Sequence, residues 1–272
     1  MGDRASAMGT DSATRFGDEH RRQVVVCGSH GGLYCGYLAA AAGLRAVILN
    51  DAGGGLDRAG MASLDYGERL GMAAAMCAHD SARIGDGEDM LVRGRISGAN
   101  EIAAAAGVEA GMPVAEAAEC LKAAPLQAWS VRPYREARHV FASEGEGPSM
   151  VCLDSVSLVT DEDIGRIVLT GSHGGLMGGR PEAALKVDAV AAIFNDAGVG
   201  VDRAGLGRLD ALDRRGIVGA TVDTMTARIG DGLSTYRDGR LSYVNDRAAS
   251  FGLEPGMTAK EAVERLRAKG ES

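Results

Sequence analysis

The chain has 272 residues, a formal net charge of −8 and 4% aromatic residues. Without a basic surplus or stacking aromatics, nucleic acid is not an expected partner. No apolar run reaches the roughly 18 residues of a membrane span, and Met1 to Gln23 is too polar for a signal peptide.

Residues 1–9 read as a disordered N-terminus. Val24 to Cys27 is a short apolar run, hence a buried strand. Gly28-Ser29-His30-Gly31-Gly32 follows, then a helix through Ala39–Ala42 that ends at Gly43. Ala46 to Leu49 is a second strand, running into Asn50-Asp51-Ala52-Gly53. Asp57 is placed to cap a helix that stops at Gly71, and Met72 to Cys77 is a third strand. Arg83-Ile84-Gly85-Asp86-Gly87 comes next, with a hairpin-like piece behind it. Its turn signal is clearer later in the chain, as Asp238-Gly239. Helices are expected near Asn100 and Asn245 and from Pro113 and Thr258, where Thr258 and Glu261 form a capping box.

The chain repeats itself. Asn50-Asp51-Ala52-Gly53 recurs as Asn195-Asp196-Ala197-Gly198, and Ala82 to Gly87 recurs as Ala227 to Gly232. The offset is 145, and about 35 of roughly 75 aligned positions are identical. Upstream the offset is 143, where Gly28 to Gly32 recurs as Gly171-Ser172-His173-Gly174-Gly175. The expected class is therefore α/β: a tandem duplication of an α/β unit with mainly parallel strands, in a pseudo-twofold arrangement. The first repeat spans 10–124, a bridging segment 125–152, and the second repeat 153–272.

In parallel sheets, ligands bind beyond the carboxyl ends of the strands. All three polar motifs fall there. In the Gly-rich loops, Ser29 and Ser172 are candidate nucleophiles and His30 and His173 candidate acids or bases. The amides of Gly31, Gly32, Gly174 and Gly175 are candidate anion contacts. Asp51 and Asp196 are candidate catalytic carboxylates, with Asn50 and Asn195 orienting a substrate. The competing reading is an Asx-type turn. Arg83 and Arg228 offer forks for a planar anion, and Asp86 and Asp231 are substrate contacts or their ion-pair partners. Upstream of that motif the repeats diverge, His79-Asp80-Ser81 against Thr224-Met225-Thr226, which allows one asymmetric site.

Neither Gly-Lys-Ser/Thr nor a Gly-x-Gly-x-x-Gly with a following acid is present, so no nucleotide cofactor is expected. No metal site is predicted, although Asp and His leave a divalent ion open. The five cysteines lack metal-ligand spacing and read as reduced thiols of a cytoplasmic protein, Cys35 as a small buried hydrophobe. The expected partner is a small polar or anionic substrate; a homo-oligomer is compatible. The expected function is hydrolysis of a small amide, lactam or ester in a cavity between the repeats. The alternatives are a lyase or isomerase using His/Asp proton transfer, or a non-catalytic small-anion-binding protein.

Overall fold

The computed structural model describes residues 7–127, 129–143, 145 and 147–269. The chain is α/β and divides into two units. Unit 1 comprises Met1–Gly54, Arg58–Tyr134 and Gly200–Asp202; unit 2 comprises Gly55–Asp57, Arg135–Val199 and Arg203–Ser272.

The strands of unit 1 are β1 (Met8–Thr10), β2 (Val24–His30), β3 (Ala46–Asn50), β4 (Ala73–Cys77) and β5 (Ile96–Ala99). They stand in chain order across one sheet. β1 to β4 are mutually parallel, and β5 closes the edge antiparallel to β4. The helices are α1 (Leu33–Ala41), α2 (Ala62–Leu70), α3 (Gly87–Arg93), α4 (Glu101–Ala105) and α5 (Val114–Leu121).

Alternate strand residues serve opposite faces. Val24, Val26, Ala46 and Ile48 pack with Met90, Ala103, Val114 and Leu121 from α3, α4 and α5. Val25, Cys27, Val47 and Leu49 pack with Cys35, Ala39 and Leu64 from α1 and α2. The strands are buried on both faces, which is why they read as unbroken apolar runs.

Unit 2 has β6 (Arg138–Phe141), β7 (Met150–Leu153), β8 (Ile167–His173), β9 (Ala191–Asn195), β10 (Val218–Val222) and β11 (Leu241–Val244). β7 to β10 are parallel, and β6 and β11 are antiparallel edges. Its helices are α6 (Gly207–Asp213), α7 (Gly232–Arg237), α8 (Asp246–Ser250) and α9 (Ala259–Lys269). Ile167, Ile193 and Val218 pack toward Ala248, Val263 and Leu266; Val168, Ala192 and Phe194 pack toward Leu185 and Leu212.

Several local expectations need correction. Residues 1–6 of the expected disordered terminus lie outside the described residues, but Met8–Thr10 pairs with Val25–Cys27 as an edge strand. The bridging segment 125–152 holds β6 and the first three residues of β7, and the units divide at Tyr134/Arg135. Trp129 anchors its first part by donating to Ala40 O at 2.8 Å. Arg138 anchors its second by a bidentate pair with the fully buried Asp163, at 2.9 and 2.7 Å. The Asp238-Gly239 hairpin is absent. Asp86 and Asp231 instead cap helices α3 and α7, accepting from Asp89 N and Ser234 N.

Asp57 and Asp202 are not caps. Both have left-handed backbones, φ 56° and 54°, in 3-10 turns that precede α2 and α6. The helix between the Gly-rich loop and the second strand exists only in unit 1. In unit 2 that stretch forms two short 3-10 turns, Met177–Gly179 and Pro181–Ala183. Arg208 stabilises them from a site with 1% exposure, donating to Ala183 O and Ala184 O, and also to His173 O and Gly175 O. Ser63 is the residue 145 positions earlier, and it leaves room for α1: a Cβ on Gly36 would lie 2.7 Å from Ser63 Cβ.

Candidate functional site

The three motifs of each unit meet at the carboxyl edge of its sheet. In unit 1, His30 ends β2 opposite Asn50, which ends β3 opposite Cys77 at the end of β4. In unit 2, His173 stands opposite Asn195, and Asn195 opposite Val222.

The motif glycines are there for close packing. Gly85 N donates to Gly28 O and Gly230 N to Gly171 O, both at 2.8 Å. A Cβ on Gly28 or Gly171 would strike the backbone of Asp86 or Asp231. The Gly-rich loop is therefore locked against the Arg-x-Gly-Asp loop in each unit. The loop amides are engaged inside the protein, which corrects their reading as anion contacts. Gly31 N donates to Asn50 O and Gly174 N to Asn195 O. Gly32 N and Gly175 N donate to Nδ1 of His30 and His173, each at 3.1 Å.

The serines are tethers rather than poised nucleophiles. Ser29 Oγ accepts from Ala13 N and Ser172 Oγ from Val156 N, both at 2.9 Å, with each serine 8% exposed.

Asn50 and Asn195 hold the next turn. Their Oδ1 atoms accept from Ala52 N and Ala197 N at 2.9 Å, and their Nδ2 atoms donate to Ala82 O and Ala227 O. Behind them Ala52, Gly53, Gly54 and Gly55 are all left-handed, as are Ala197, Gly198, Val199 and Gly200. Side-chain acceptors are what hold such a run in place: Gly53 N and Gly198 N reach Asp51 Oδ1 and Asp196 Oδ1 at 3.0 Å. The Asx-turn reading therefore describes both asparagines.

The histidines of the Gly-rich loops do not sit as acid/base groups. Because Nδ1 accepts from an amide, the neutral ring carries its proton on Nε2 and presents a donor. Burial pushes His30 down to about 4, so it stays neutral at pH 7.

The two aspartates have parted company. In unit 1, Asp51 Oδ1 accepts from His79 N at 3.0 Å and pairs with His79 Nδ1 at 2.9 Å. The His79 side chain is 29% exposed and that of Asp51 10%. Burial pushes Asp51 up, but hydrogen bonds from His79, Ser97 and Gly53 outweigh it and hold the carboxyl below its ordinary value. In unit 2, Thr224 stands in place of His79, and its N–H reaches Asp196 at 3.0 Å. There burial prevails over the hydrogen bonds from Thr224, Gly198 and Ser242, and Asp196 lies above its ordinary value.

The divergence between the repeats marks the position of His79, but a comparison of repeats gives no sign of its pairing with Asp51. Ser97 and Ser242, 145 positions apart and identical, were open to that comparison.

Arg83 and Arg228 are both ion-paired. Arg83 binds Asp89 and Asp202, and Arg228 binds Asp57 at 2.8 Å and Asp231 at 3.5 Å. Asp86 pairs with no arginine through a described ion pair; it is a cap.

Cys35 packs in the core against α1's neighbours, and burial pushes the Cys27, Cys77 and Cys152 thiols up to about 12. Among the described residues no group of three or more His, Cys, Asp or Glu is arranged to hold a metal. Among them, too, no helix is long and apolar enough to cross a membrane.

Compared with protein-family models, with curated proteins and with solved structures, the chain matches none.

Proposed function

We propose that the chain is a hydrolase of a small polar amide, lactam or ester, with its chemistry in unit 1. The observation that carries this reading is the Asp51–His79 pair. A carboxylate on Nδ1 fixes the tautomer that leaves Nε2 as a proton acceptor, and it stabilises the imidazolium formed when that proton arrives. His79 Nε2 takes a proton from water, and the oxygen attacks the substrate carbonyl. His30, on the same sheet edge and in the opposite tautomer, donates Nε2–H to the carbonyl oxygen as its negative charge develops. The imidazolium of His79 returns the proton to the leaving nitrogen or oxygen, and the bond to the carbonyl carbon breaks.

Ser29, Asn50 and the loop glycines build the edge and do not react. Unit 2 keeps the same edge but carries Thr224, so it has no base and is not catalytic. We infer that both units descend from one duplicated unit, of which only one carries the histidine. The five cysteines, none of them in a disulfide, fit a cytoplasmic protein.

A panel of small amides, lactams and esters, assayed for release of acid, tests the reading. Wild-type chain should turn over at least one class and His79→Gln should not. A base that abstracts a C–H proton would instead give an isomer or an alkene, and product analysis separates that outcome.

A further inference from the structure

Asp89, in α3, organises two arginines in unit 1. Its side chain is 12% exposed. It accepts from Arg83 N at 2.7 Å, from Arg83 Nη1 at 3.2 Å and from Arg93 Nε at 2.8 Å. One largely buried carboxylate thus sets two guanidiniums side by side. Both then present Nη2 to the same atom, Asp202 Oδ2, each at 2.9 Å. The Arg83, Arg93 and Asp202 side chains are 47%, 33% and 47% exposed, so this half of the cluster is open to water. Asp202 uses a single oxygen for both contacts, whereas a free carboxylate can offer one oxygen to each fork.

Unit 2 lacks this arrangement. The positions 145 residues beyond Asp89 and Arg93 are Ser234 and Asp238. Arg228 is left alone among Asp57, Asp231 and Asp238, at 2.8, 3.5 and 3.9 Å. Setting aside Asp202 in unit 1 and its counterpart Asp57 in unit 2, unit 1 has two cations against one carboxylate, and unit 2 has one cation against two. The cationic pair therefore occurs in the unit that carries His79. Arg83 lies four residues beyond His79 on the loop that leaves β4.

We propose that Arg83 and Arg93 form a clamp for a carboxylate on the substrate, and that Asp202 is an internal carboxylate which the ligand displaces. The proposal rests on the hydrolase reading of unit 1 and names its substrate class: a small amide, lactam or ester that also bears a carboxylate. Arg93 is the specificity-determining partner, since Arg83 has a counterpart in unit 2 and Arg93 has none. Asp89 is the positioning residue behind both. Ion pairs exposed to this degree exchange readily, so a competing carboxylate meets little resistance from Asp202.

Calorimetric titration with succinamate, an amide bearing a carboxylate, and with neutral succinamide tests this. Succinamate should bind wild-type chain saturably and more weakly as salt is raised. Asp202→Asn should tighten it roughly tenfold, and Arg93→Asp, the residue unit 2 carries, should weaken it by about the same factor. Arg93→Gln gives the second reading if Arg93→Asp fails to fold, as judged by circular dichroism. Equal binding of succinamate and succinamide overturns the clamp, as does an Asp202→Asn chain that binds no tighter. Failure of the two readings is distinguishable. Turnover that needs His79 but ignores substrate charge removes the clamp and leaves the hydrolase. The full binding pattern without turnover of any panel member leaves the clamp and removes the hydrolase.

Discussion

Asp51 Oδ1 meets His79 twice, at the backbone N–H (3.0 Å) and at ring Nδ1 (2.9 Å). The double contact fixes both where the histidine sits and which nitrogen carries its proton. Asp196 accepts from the backbone N–H of Thr224, a residue with no imidazole to add. At this position the units differ by one side chain, His79 against Thr224.

The two aspartates should therefore respond oppositely to neutralisation. Asp51 lies below its ordinary value when folded, so its contribution is present above about pH 4 and is lost as pH falls through the folded value. Asp51→Asn should destabilise the chain at pH 7 by about 1.5–3 kcal/mol, the worth of a hydrogen bond to a charged group. Asp196 lies above its ordinary value, so its ionised form weakens the fold at neutral pH and acidification relieves that. Asp196→Asn should leave the urea midpoint at pH 7 unchanged or raise it. A midpoint lowered as far as in Asp51→Asn would contradict this assignment.

His30 should make the fold acid-sensitive. Its folded value of about 4 lies below the unfolded value of about 6.5, so between those limits the unfolded chain takes up a proton that the folded chain refuses. Stability from this group falls as pH drops through that window. His30→Asn keeps an acceptor for Gly32 N and removes the titration. Urea melts from pH 7 to pH 4 should show the variant losing less stability than wild type; parallel losses would refute the burial of His30 as the cause.

The Gly-rich loops, alike in sequence, should differ in activity. His30→Asn removes the donor proposed for the developing oxyanion and should lower kcat about 10²-fold or more. His173→Asn lies in the unit without a base and should leave kcat within about twofold. Equal losses in both variants would mean that both loops serve chemistry.

Arg208 should matter to stability alone. Truncation to Ala leaves four carbonyls of the His173 loop and the 3-10 turns without their donor and opens a cavity beside Phe194. The expected cost is about 3–5 kcal/mol. A thermal midpoint within about 2 °C of wild type would show that those turns hold by other means.

Much of the fold is written in local sequence. Val24 to Cys27, Ala46 to Leu49 and Met72 to Cys77 are apolar because both faces of β2, β3 and β4 are covered, and Gly71 stops α2 with φ 76°. Asn100 and Asn245 cap the helices expected of them. Thr258 and Glu261 form their capping box. Asp57 misled because a cap and an ion-pairing turn residue have the same composition; only the left-handed backbone and the distant arginine tell them apart, as they do for Asp202. The edge strands escaped notice because Met8–Thr10 and Arg138–Phe141 are short and half exposed, with no apolar alternation to mark them. The site was legible as an edge, since three motifs end three strands. The residues proposed to act there were legible only in part, His79 as a point of divergence and Arg93 not at all. Hydrogen bonds hold the shared Ser, Asn and Gly in place, whereas His79 and Arg93 occur in unit 1 alone.

The most direct test is steady-state hydrolysis of carboxylate-bearing amides by wild-type chain and by His79→Thr, which gives unit 1 the residue of unit 2. Loss of a general base should lower kcat by about 10²- to 10⁴-fold, with the fold and ligand affinity retained. A His79→Thr chain that turns over at the wild-type rate, or a wild-type chain that releases acid from no member of the panel, would contradict the account.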